Sequence, residues 1–324
     1  MGVAELPGSM RAGVIAGAMR AEEGLAPLRP PETDELLVRI EGCGLCGSNL
    51  PVWEGRPWFK YPLAPGAPGH EAWGTVEAVG PRAEQFRPGD RVALLIENGF
   101  AEYAISAASK ALLLPNELGE APFPGEPLAC AMNAARRSAI KAGESVAIIG
   151  IGFMGALLTK LAKLAGARVA AVSRRKFSLA IAEQFGADAT FAWDDDAASR
   201  MRSFTGGAGF DCAIEAAGVQ ASLDLATQLT KERGRLVIAG YHQDGQRQVD
   251  VQLWNWRGLD VINAHERDPQ VYLDGMRSAL ELVLAGKLDP TPLYTHKFPL
   301  SELGSAFEML RTRPEGFVKA LVMP

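Results

Sequence analysis

The sequence has few cysteines and no long apolar run. Its four cysteines, Cys43, Cys46, Cys130 and Cys212, are too few for a disulfide framework, so we expect a reducing, cytoplasmic location. No stretch approaches the roughly 18 apolar residues that a membrane span requires. The N-terminus lacks a charged segment ahead of an apolar core, which argues against a signal peptide. We therefore expect a soluble cytoplasmic protein.

The sequence also lacks an excess of basic residues. Lys and Arg number 33 against 38 Asp and Glu, which gives a net charge of −5. A mildly acidic chain without a basic stripe is a poor binder of nucleic acid or of anionic membranes. The 48% of hydrophobic and 22% of charged residues exclude a disordered chain. The 324 residues suit two domains of roughly 100–200 residues each.

The two halves of the chain differ in their local pattern. Early β-rich segments, such as Leu36–Ile40 and Thr75–Val79, alternate with Gly/Pro-rich turns, which is typical of a partly barrel-like β domain. From about Glu126, strands alternate with helices, and this predicts an α/β fold with a doubly wound parallel sheet. In that half we predict strands at 145–150, 168–172, 211–215, 235–240 and 259–262, and helices near 177–185, 223–229, 271–285 and 303–310.

A glycine-rich turn directly follows the first of these strands and precedes a helix. Gly150 permits the tight turn, Gly152 lets a pyrophosphate approach the backbone, and Gly155 lets the helix pack closely on the strand. The pyrophosphate would lie at the helix N-terminus. This predicts a dinucleotide site formed by Gly150, Gly152, Phe153, Met154 and Gly155.

The end of the second strand decides which dinucleotide binds. NAD-binding proteins carry an acid there, about 20 residues after the fingerprint, which binds the ribose 2′-hydroxyl. This chain has Ser173, Arg174 and Arg175 instead. A hydroxyl followed by guanidinium groups attracts a 2′-phosphate, so we predict NADP(H) in preference to NAD(H). The alternative is that these cations lie on a solvated loop.

The two cysteines of Cys43-Gly-Leu-Cys46 allow three interpretations. A thioredoxin-like pair needs a βαβ setting, and a structural zinc knuckle needs a second ligand pair that the sequence lacks. The third interpretation uses Cys46 alone, with His70 and Glu71 of Pro-Gly-His-Glu. A thiolate, an imidazole and a carboxylate are the ligand types of a catalytic zinc.

Together these motifs resemble the medium-chain zinc-dependent alcohol dehydrogenase family, and the resemblance extends over essentially the whole chain. The similar segments are EGCGLCGSN, PGHEAWGTV, RPGDRV, GIGFMG and the closing GFVKALV, and the stretch from Glu126 is most similar to the sorbitol (polyol) dehydrogenase branch. The resemblance implies a GroES-like β-rich catalytic domain, residues 1–125 and 270–324, and a Rossmann domain, residues 126–269. It implies Cys46 and His70 as zinc ligands, Glu71 as a ligand or a nearby carboxylate, and Glu126 at the position of the remaining protein ligand.

The sequence departs from that family in features with chemical consequences. The lobe with four cysteines that binds a structural zinc in many relatives is absent between Gly89 and Tyr103, so we expect at most one zinc per chain. Asn49 replaces a usual aspartate that orients the ligands. Pro51 stands where some relatives have a proton-relay histidine, which leaves Ser48 as our candidate first proton acceptor.

The sequence indicates the substrate contacts less clearly than the cofactor and metal sites. Asn49, Trp53, His265 and Glu266 are our candidate substrate contacts, and aromatic packing is an alternative for Trp53. We expect a dehydrogenase for a secondary alcohol, polyol or sugar-like hydroxyl. A zinc-free quinone or enoyl reductase and a non-catalytic nucleotide-binding protein are the alternatives. We expect a homodimer formed through the edge strand 259–262, with a tetramer not excluded.

Overall fold

Strands form much of both halves of the chain. The computed structural model describes residues 7–324, in two units: residues 7–127 with 279–324, and residues 128–278. The strands are β1 Ser9–Gly17, β2 Arg20–Pro27, β3 Glu35–Gly44, β4 Glu71–Val79, β5 Arg91–Leu94, β6 Tyr103–Ala107, β7 Ala111–Leu114, β8 Ser145–Ile149, β9 Arg168–Ser173, β10 Ala189–Ala192, β11 Phe210–Glu215, β12 Thr230–Ile238, β13 Asp260–Asn263, β14 Tyr294–Pro299 and β15 Lys319–Met323. The helices are α1 Leu50–Trp53, α2 Gly125–Ser138, α3 Phe153–Leu164, α4 Lys176–Gln184, α5 Ala197–Ser203, α6 Gln220–Leu229, α7 Val251–Arg257, α8 Pro269–Leu284 and α9 Leu303–Thr312.

The first unit is built around the long strand β3. Strand β3 pairs with β4, β6 and β15, in a sheet of order β14-β15-β3-β4-β5-β7 with β6 joined through β3. The inward side chains of these strands and of α9 form one apolar core that contains Leu36, Val38, Val92 and Phe307. This is the GroES-like domain, and the pairing brings the end of β3 next to the start of β4.

The second unit is a parallel sheet with the strand order β10-β9-β8-β11-β12-β13. Its central strands are continuous apolar runs, such as Val146–Ile149, because both faces are covered by helices. The order reverses beside β8, so the turns after β8 and β9 lie at the carboxyl edge where Rossmann folds bind dinucleotides. The predicted α/β fold with a Rossmann-type sheet is confirmed. The predicted domain boundaries stay a prediction.

Several elements escaped the sequence analysis. The hairpin β1–β2, the strand β10 and the helices α2 and α5 were not predicted. The predicted strand at 235–240 begins earlier, at Thr230. The hairpin and β10 bury only part of their side chains, so their apolar periodicity is weak. Among residues 7–324, no helix is both long and apolar enough to cross a membrane.

Candidate active site

The pairing of β3 with β4 brings the predicted metal ligands together. Cys46 lies just beyond the end of β3, His70 lies just before β4, and Gly44 of β3 is paired with Glu71 of β4. As a result, one ligand atom from each of Cys46, His70 and Glu71 lies within 4.8 Å of the other two. Within the described residues this is the one cluster of three or more Cys, His, Asp or Glu side chains with this geometry.

The His70 ring is oriented by its own loop. Its Nδ1 lies 3.0 Å from the carbonyl oxygen of Pro68, and a carbonyl only accepts, so Nδ1 carries a hydrogen. This arrangement directs Nε2 towards Cys46 and towards the Ser48 hydroxyl, which is 3.5 Å away. A ligating histidine characteristically donates its other ring N–H to a carbonyl or carboxylate. The orientation therefore fits a metal ligand.

Asn49 joins the two ligand loops. Its Oδ1 accepts a hydrogen bond from the backbone N–H of Cys46 at 3.1 Å, and its Nδ2 donates to the Pro68 carbonyl at 3.2 Å. The side chain is only 2% exposed, so it lies behind the ligands. Its polar atoms contact the loops of Cys46 and His70, and a substrate contact for Asn49 stays a prediction.

Glu71 is fully buried and is neutralised by a lysine distant in sequence. Lys319 of β15 donates to both carboxylate oxygens, at 2.8 and 2.6 Å. The carboxylate reaches Lys319 across Gly44, where an added Cβ would lie 1.9 Å from Glu71 Oε2. Burial lowers the pKa of Lys319, but the negative charge of Glu71 outweighs it and leaves that pKa raised. Lys319 was missed as a site residue, although it belongs to the closing GFVKALV segment.

Cys46, Glu126 and Glu71 all act on the His70 imidazole. Burial alone would lower the pKa of His70, but the hydrogen bond and electrostatic interaction with Cys46 and the carboxylates of Glu126 and Glu71 raise it to about 11. Glu126 lies in the first turn of α2 and acts on His70 through its charge. A cysteine sulfur, an imidazole and a carboxylate form a donor set suited to a divalent cation, so these residues fit zinc.

The side chains of Cys43, Cys130 and Trp53 have surroundings that differ from those of Cys46. Burial raises the pKa of the Cys43 thiol well above its usual range, which agrees with packing, and Cys130 lies in α2. Trp53 is only 3% exposed and stacks on Phe307, with ring centroids 4.9 Å apart. Its ring packs in the core, in agreement with the packing alternative, and a substrate contact for Trp53 stays a prediction. Sequence reasoning also missed Arg313, whose guanidinium lies beside Gly47.

The glycine-rich turn has the geometry that the fingerprint requires. Gly150 has a φ of +95°, and an added Cβ there would lie 2.7 Å from that of Ala217. A Cβ on Gly155 would lie 2.0 Å from the carbonyl oxygen of Gly150, so only glycine lets the helix approach this turn. The space over Gly152 is open, and no side chain caps this end of α3 within the described chain. Phe153 and Met154 form its first turn, so the residues fit a bound pyrophosphate.

The end of β9 presents the predicted cationic residues. Ser173 is nearly buried, and its hydroxyl accepts a weak hydrogen bond from the backbone N–H of Arg175 at 3.4 Å. The exposed Arg174 lies with its guanidinium 4.9 Å from the ring centroid of Trp193. The preference for NADP(H) stays a prediction.

His265 and Glu266 follow the edge strand β13 and make local contacts. His265 Nε2 lies 3.3 Å from the Gly240 carbonyl oxygen, and its ring packs 5.2 Å from that of Tyr241. The backbone N–H groups of Arg267 and Asp268 bind the Glu266 carboxylate and lower its pKa. These contacts hold the loop, and a substrate role for either residue stays a prediction.

Two protein-family models match this chain. The model described as zinc-binding dehydrogenase matches residues 154–278, and the alcohol dehydrogenase GroES-like domain matches residues 32–116. Together they cover more than half of the chain. They include the loops of both sites, apart from the segment around Glu126 and the start of the glycine-rich turn. The chain belongs to the medium-chain zinc alcohol dehydrogenase family. Its members are oxidoreductases, and the expected family is confirmed.

Named relatives of this dehydrogenase include a sugar-acid dehydrogenase and a sorbitol dehydrogenase. It is 27% identical to a 2-dehydro-3-deoxy-L-galactonate 5-dehydrogenase of Pseudoalteromonas atlantica, over 90% of this chain and 92% of the relative. It is 28% identical to sorbitol dehydrogenase of Gallus gallus, over 93% of this chain and 92% of the relative. Among solved structures, a putative zinc-binding dehydrogenase of Sinorhizobium meliloti bound to NADP superimposes with a TM-score of 0.85 at 28% identity, covering 98% of this chain and 100% of the other.

Proposed function

We propose that this dehydrogenase is a zinc-dependent enzyme that transfers a hydride between NADP(H) and a secondary alcohol, polyol or sugar-like hydroxyl. The observation that carries the proposal is the convergence of Cys46, His70 and Glu71 within 4.8 Å of one another. The polyol and sugar-acid relatives support a hydroxylated substrate. The reaction can run in either direction, with the ketone as the oxidised partner.

Each residue has a defined task in this reaction. Zinc would supply Lewis-acid chemistry that makes an alcohol easier to deprotonate, and the nicotinamide would supply the hydride acceptor. Cys46 and His70 would hold the metal, with Glu71 or Glu126 as the third protein ligand. Asn49 and the Pro68 carbonyl keep the two ligands in register, because they bind the Cys46 N–H and the His70 ring.

The proton from the alcohol needs an acceptor, and we assign that task to Ser48. Its hydroxyl lies 3.5 Å from His70 Nε2, on the metal side of the ring. A hydroxyl can accept one proton while it donates another, so Ser48 can pass the proton on to water. Pro51 offers no such group.

The experiment is elemental analysis of the purified protein followed by assays with NADP⁺ and polyols. We expect about one zinc per chain and activity that a chelator removes, since a catalytic site of this kind has three protein ligands and one open position. Protein that contains no zinc after purification without chelator, but reduces quinones or enones with NADPH, would establish the zinc-free reductase instead.

Cys46 and Cys43 form a matched pair for locating the metal. Cys46→Ser should remove both zinc and activity, whereas Cys43→Ser should leave both nearly intact because Cys43 is a packed core residue. Zinc content and turnover are measured on both variants. The reverse pattern would show that the wrong cysteine has been assigned.

The cofactor preference is tested by calorimetric titration. We expect NADPH to bind at least about tenfold more tightly than NADH, because Ser173, Arg174 and Arg175 would form charge-assisted hydrogen bonds only with a 2′-phosphate. Equal affinities, or tighter NADH binding, would remove the basis for NADP(H). This result does not depend on whether zinc is bound.

A further inference from the structure

Arg174 is positioned by an aromatic side chain from the neighbouring strand. Strand β10 runs parallel to β9, with Ala192 paired with Ser173, so the next residues of the two strands, Trp193 and Arg174, emerge side by side. The backbone N–H of Trp193 donates to the Ser173 carbonyl at 3.0 Å and extends this pairing by one residue. The guanidinium of Arg174 then lies over the indole, 4.9 Å from its centroid.

The surroundings keep Arg174 available for an anion. Three aspartates follow Trp193, and the first of them, Asp194, is bound through both carboxylate oxygens by Arg200 at 2.9 Å. Within residues 7–324, no carboxylate is within salt-bridge distance of Arg174, and its side chain is exposed beyond the ring. The indole therefore restrains the guanidinium without consuming its N–H donors.

We propose that Trp193 is a positioning residue that holds Arg174 for recognition of the adenosine 2′-phosphate of NADP(H). The inference rests on the proposed NADP(H) preference and assigns a residue that the fingerprint does not contain. The contact with the indole restrains the guanidinium of Arg174, whose N–H donors form a rigid planar fork that matches phosphate geometry. A fixed donor set loses less rotamer entropy when it binds phosphate than a mobile side chain does.

The test is calorimetric titration of the full-length protein and its variants with NADPH and NADH. Trp193→Ala should weaken NADPH binding about two- to fivefold, the range of an exposed cation–π contact, and leave NADH binding unchanged. Trp193→Phe should retain most of the NADPH affinity, because it keeps an aromatic face. Combined with Arg174→Ala, the loss of Trp193 should have no additional effect, since both changes remove one interaction.

A second arginine–aromatic pair supplies a matched control. Arg168 lies 4.6 Å from the ring centroid of Phe204, but at the opposite end of β9 from Ser173. Phe204→Ala should therefore leave the ratio of NADPH to NADH affinity unchanged. Melting temperatures of all variants identify any that fail to fold, and Trp193→Phe then keeps the proposal testable.

The outcomes separate the two proposals. If Trp193→Ala weakens the binding of NADPH and NADH equally, Trp193 stabilises the fold or contacts the adenosine, and its positioning role is overturned. If Arg174→Ala discriminates between the cofactors but Trp193→Ala has no effect, the same role is overturned while NADP(H) recognition stands. If Arg174→Ala fails to discriminate as well, both proposals fail.

Discussion

At the scale of single residues, the ion pair of Glu71 and Lys319 links stability to the candidate metal site. Both side chains are nearly inaccessible, at 0% and 4% exposure. Removing the partner of a buried carboxylate costs far more folding free energy than an exposed ion pair contributes, because water cannot solvate the unpaired charge. The pair therefore holds the carboxylate beside Cys46 and His70.

This pair gives the first prediction. Lys319→Met should lower the free energy of unfolding of metal-free protein by about 3 kcal/mol, since Glu71 is left buried without a countercharge. The Glu71→Gln/Lys319→Met double variant should recover most of that loss, because no charge is then buried. Urea denaturation measures both. A single variant as stable as the unmutated protein would contradict the buried-pair interpretation.

At the scale of elements, two glycines in the turn between β8 and α3 have different surroundings. Gly155 lies against the Gly150 carbonyl oxygen, whereas a Cβ on Gly152 meets no atom within 4 Å beyond its chain neighbours in residues 7–324. Gly152 also has a φ of −107°, which any residue adopts. We therefore expect Gly155 to act through packing and Gly152 through the proposed cofactor.

The second prediction uses these two glycines. Gly155→Ala should lower the free energy of unfolding by about 1–3 kcal/mol, because helix and turn must separate. Gly152→Ala should leave stability nearly unchanged and weaken NADPH binding by about tenfold, because its methyl group occupies the space of the pyrophosphate. Denaturation and calorimetry measure the two effects. Unimpaired NADPH binding by the Gly152 variant would place the pyrophosphate elsewhere.

The start of β11 supplies an element-scale prediction about pH. Burial would raise the pKa of Asp211, but Lys231 and the Ser145 hydroxyl and N–H outweigh it and lower that pKa to about 2. Because the pKa of Asp211 is depressed in the folded state, the stability that its carboxylate contributes is complete above about pH 4 and is lost as the pH falls towards 2.

Asp211→Asn should therefore cost about 1 kcal/mol at pH 7, a value reduced for the partial exposure of the pair, and almost nothing near pH 2. Chemical denaturation between pH 2 and 7 measures the difference. Asp195→Asn, at an exposed position, is the control and should shift the curve by a small constant amount. A cost for Asp211→Asn that does not vary with pH would contradict the assignment.

At the scale of the whole molecule, β13 is the edge of the six-stranded sheet, as expected for 259–262. Its outer side has no partner strand within the described chain, Val261 is 37% exposed, and Trp256 of the preceding helix α7 is 86% exposed. An open edge beside exposed apolar side chains is typical of a surface that pairs with a second copy. We therefore propose a homodimer through β13.

The corresponding prediction is that Val261→Arg converts the dimer to monomer, because the two-fold axis would bring like charges together. Leu164→Arg, at a similarly exposed apolar position on α3, should leave the dimer intact. Sedimentation equilibrium at micromolar concentration distinguishes the two. A dimer that survives Val261→Arg would place the interface on another surface.

The sequence alone determined the local features of both sites. The turn from Gly150 to Gly155 and the absence of an acid at Ser173 could be read directly, because each depends on residues adjacent in the chain. Cys46 and His70 could be identified by type and by family resemblance. The central strands were also predictable, since burial on both faces makes them continuous apolar runs.

Only the tertiary structure decided which distant side chains support those residues. Lys319 reaches Glu71 because β15 and β4 both pair with β3 at Gly44, and Trp193 reaches Arg174 because β10 pairs with β9. The same packing places Asn49 against the backbone of Cys46 and Trp53 against Phe307. Strand register and core packing join segments far apart in the chain, and no local pattern encodes which segments will meet.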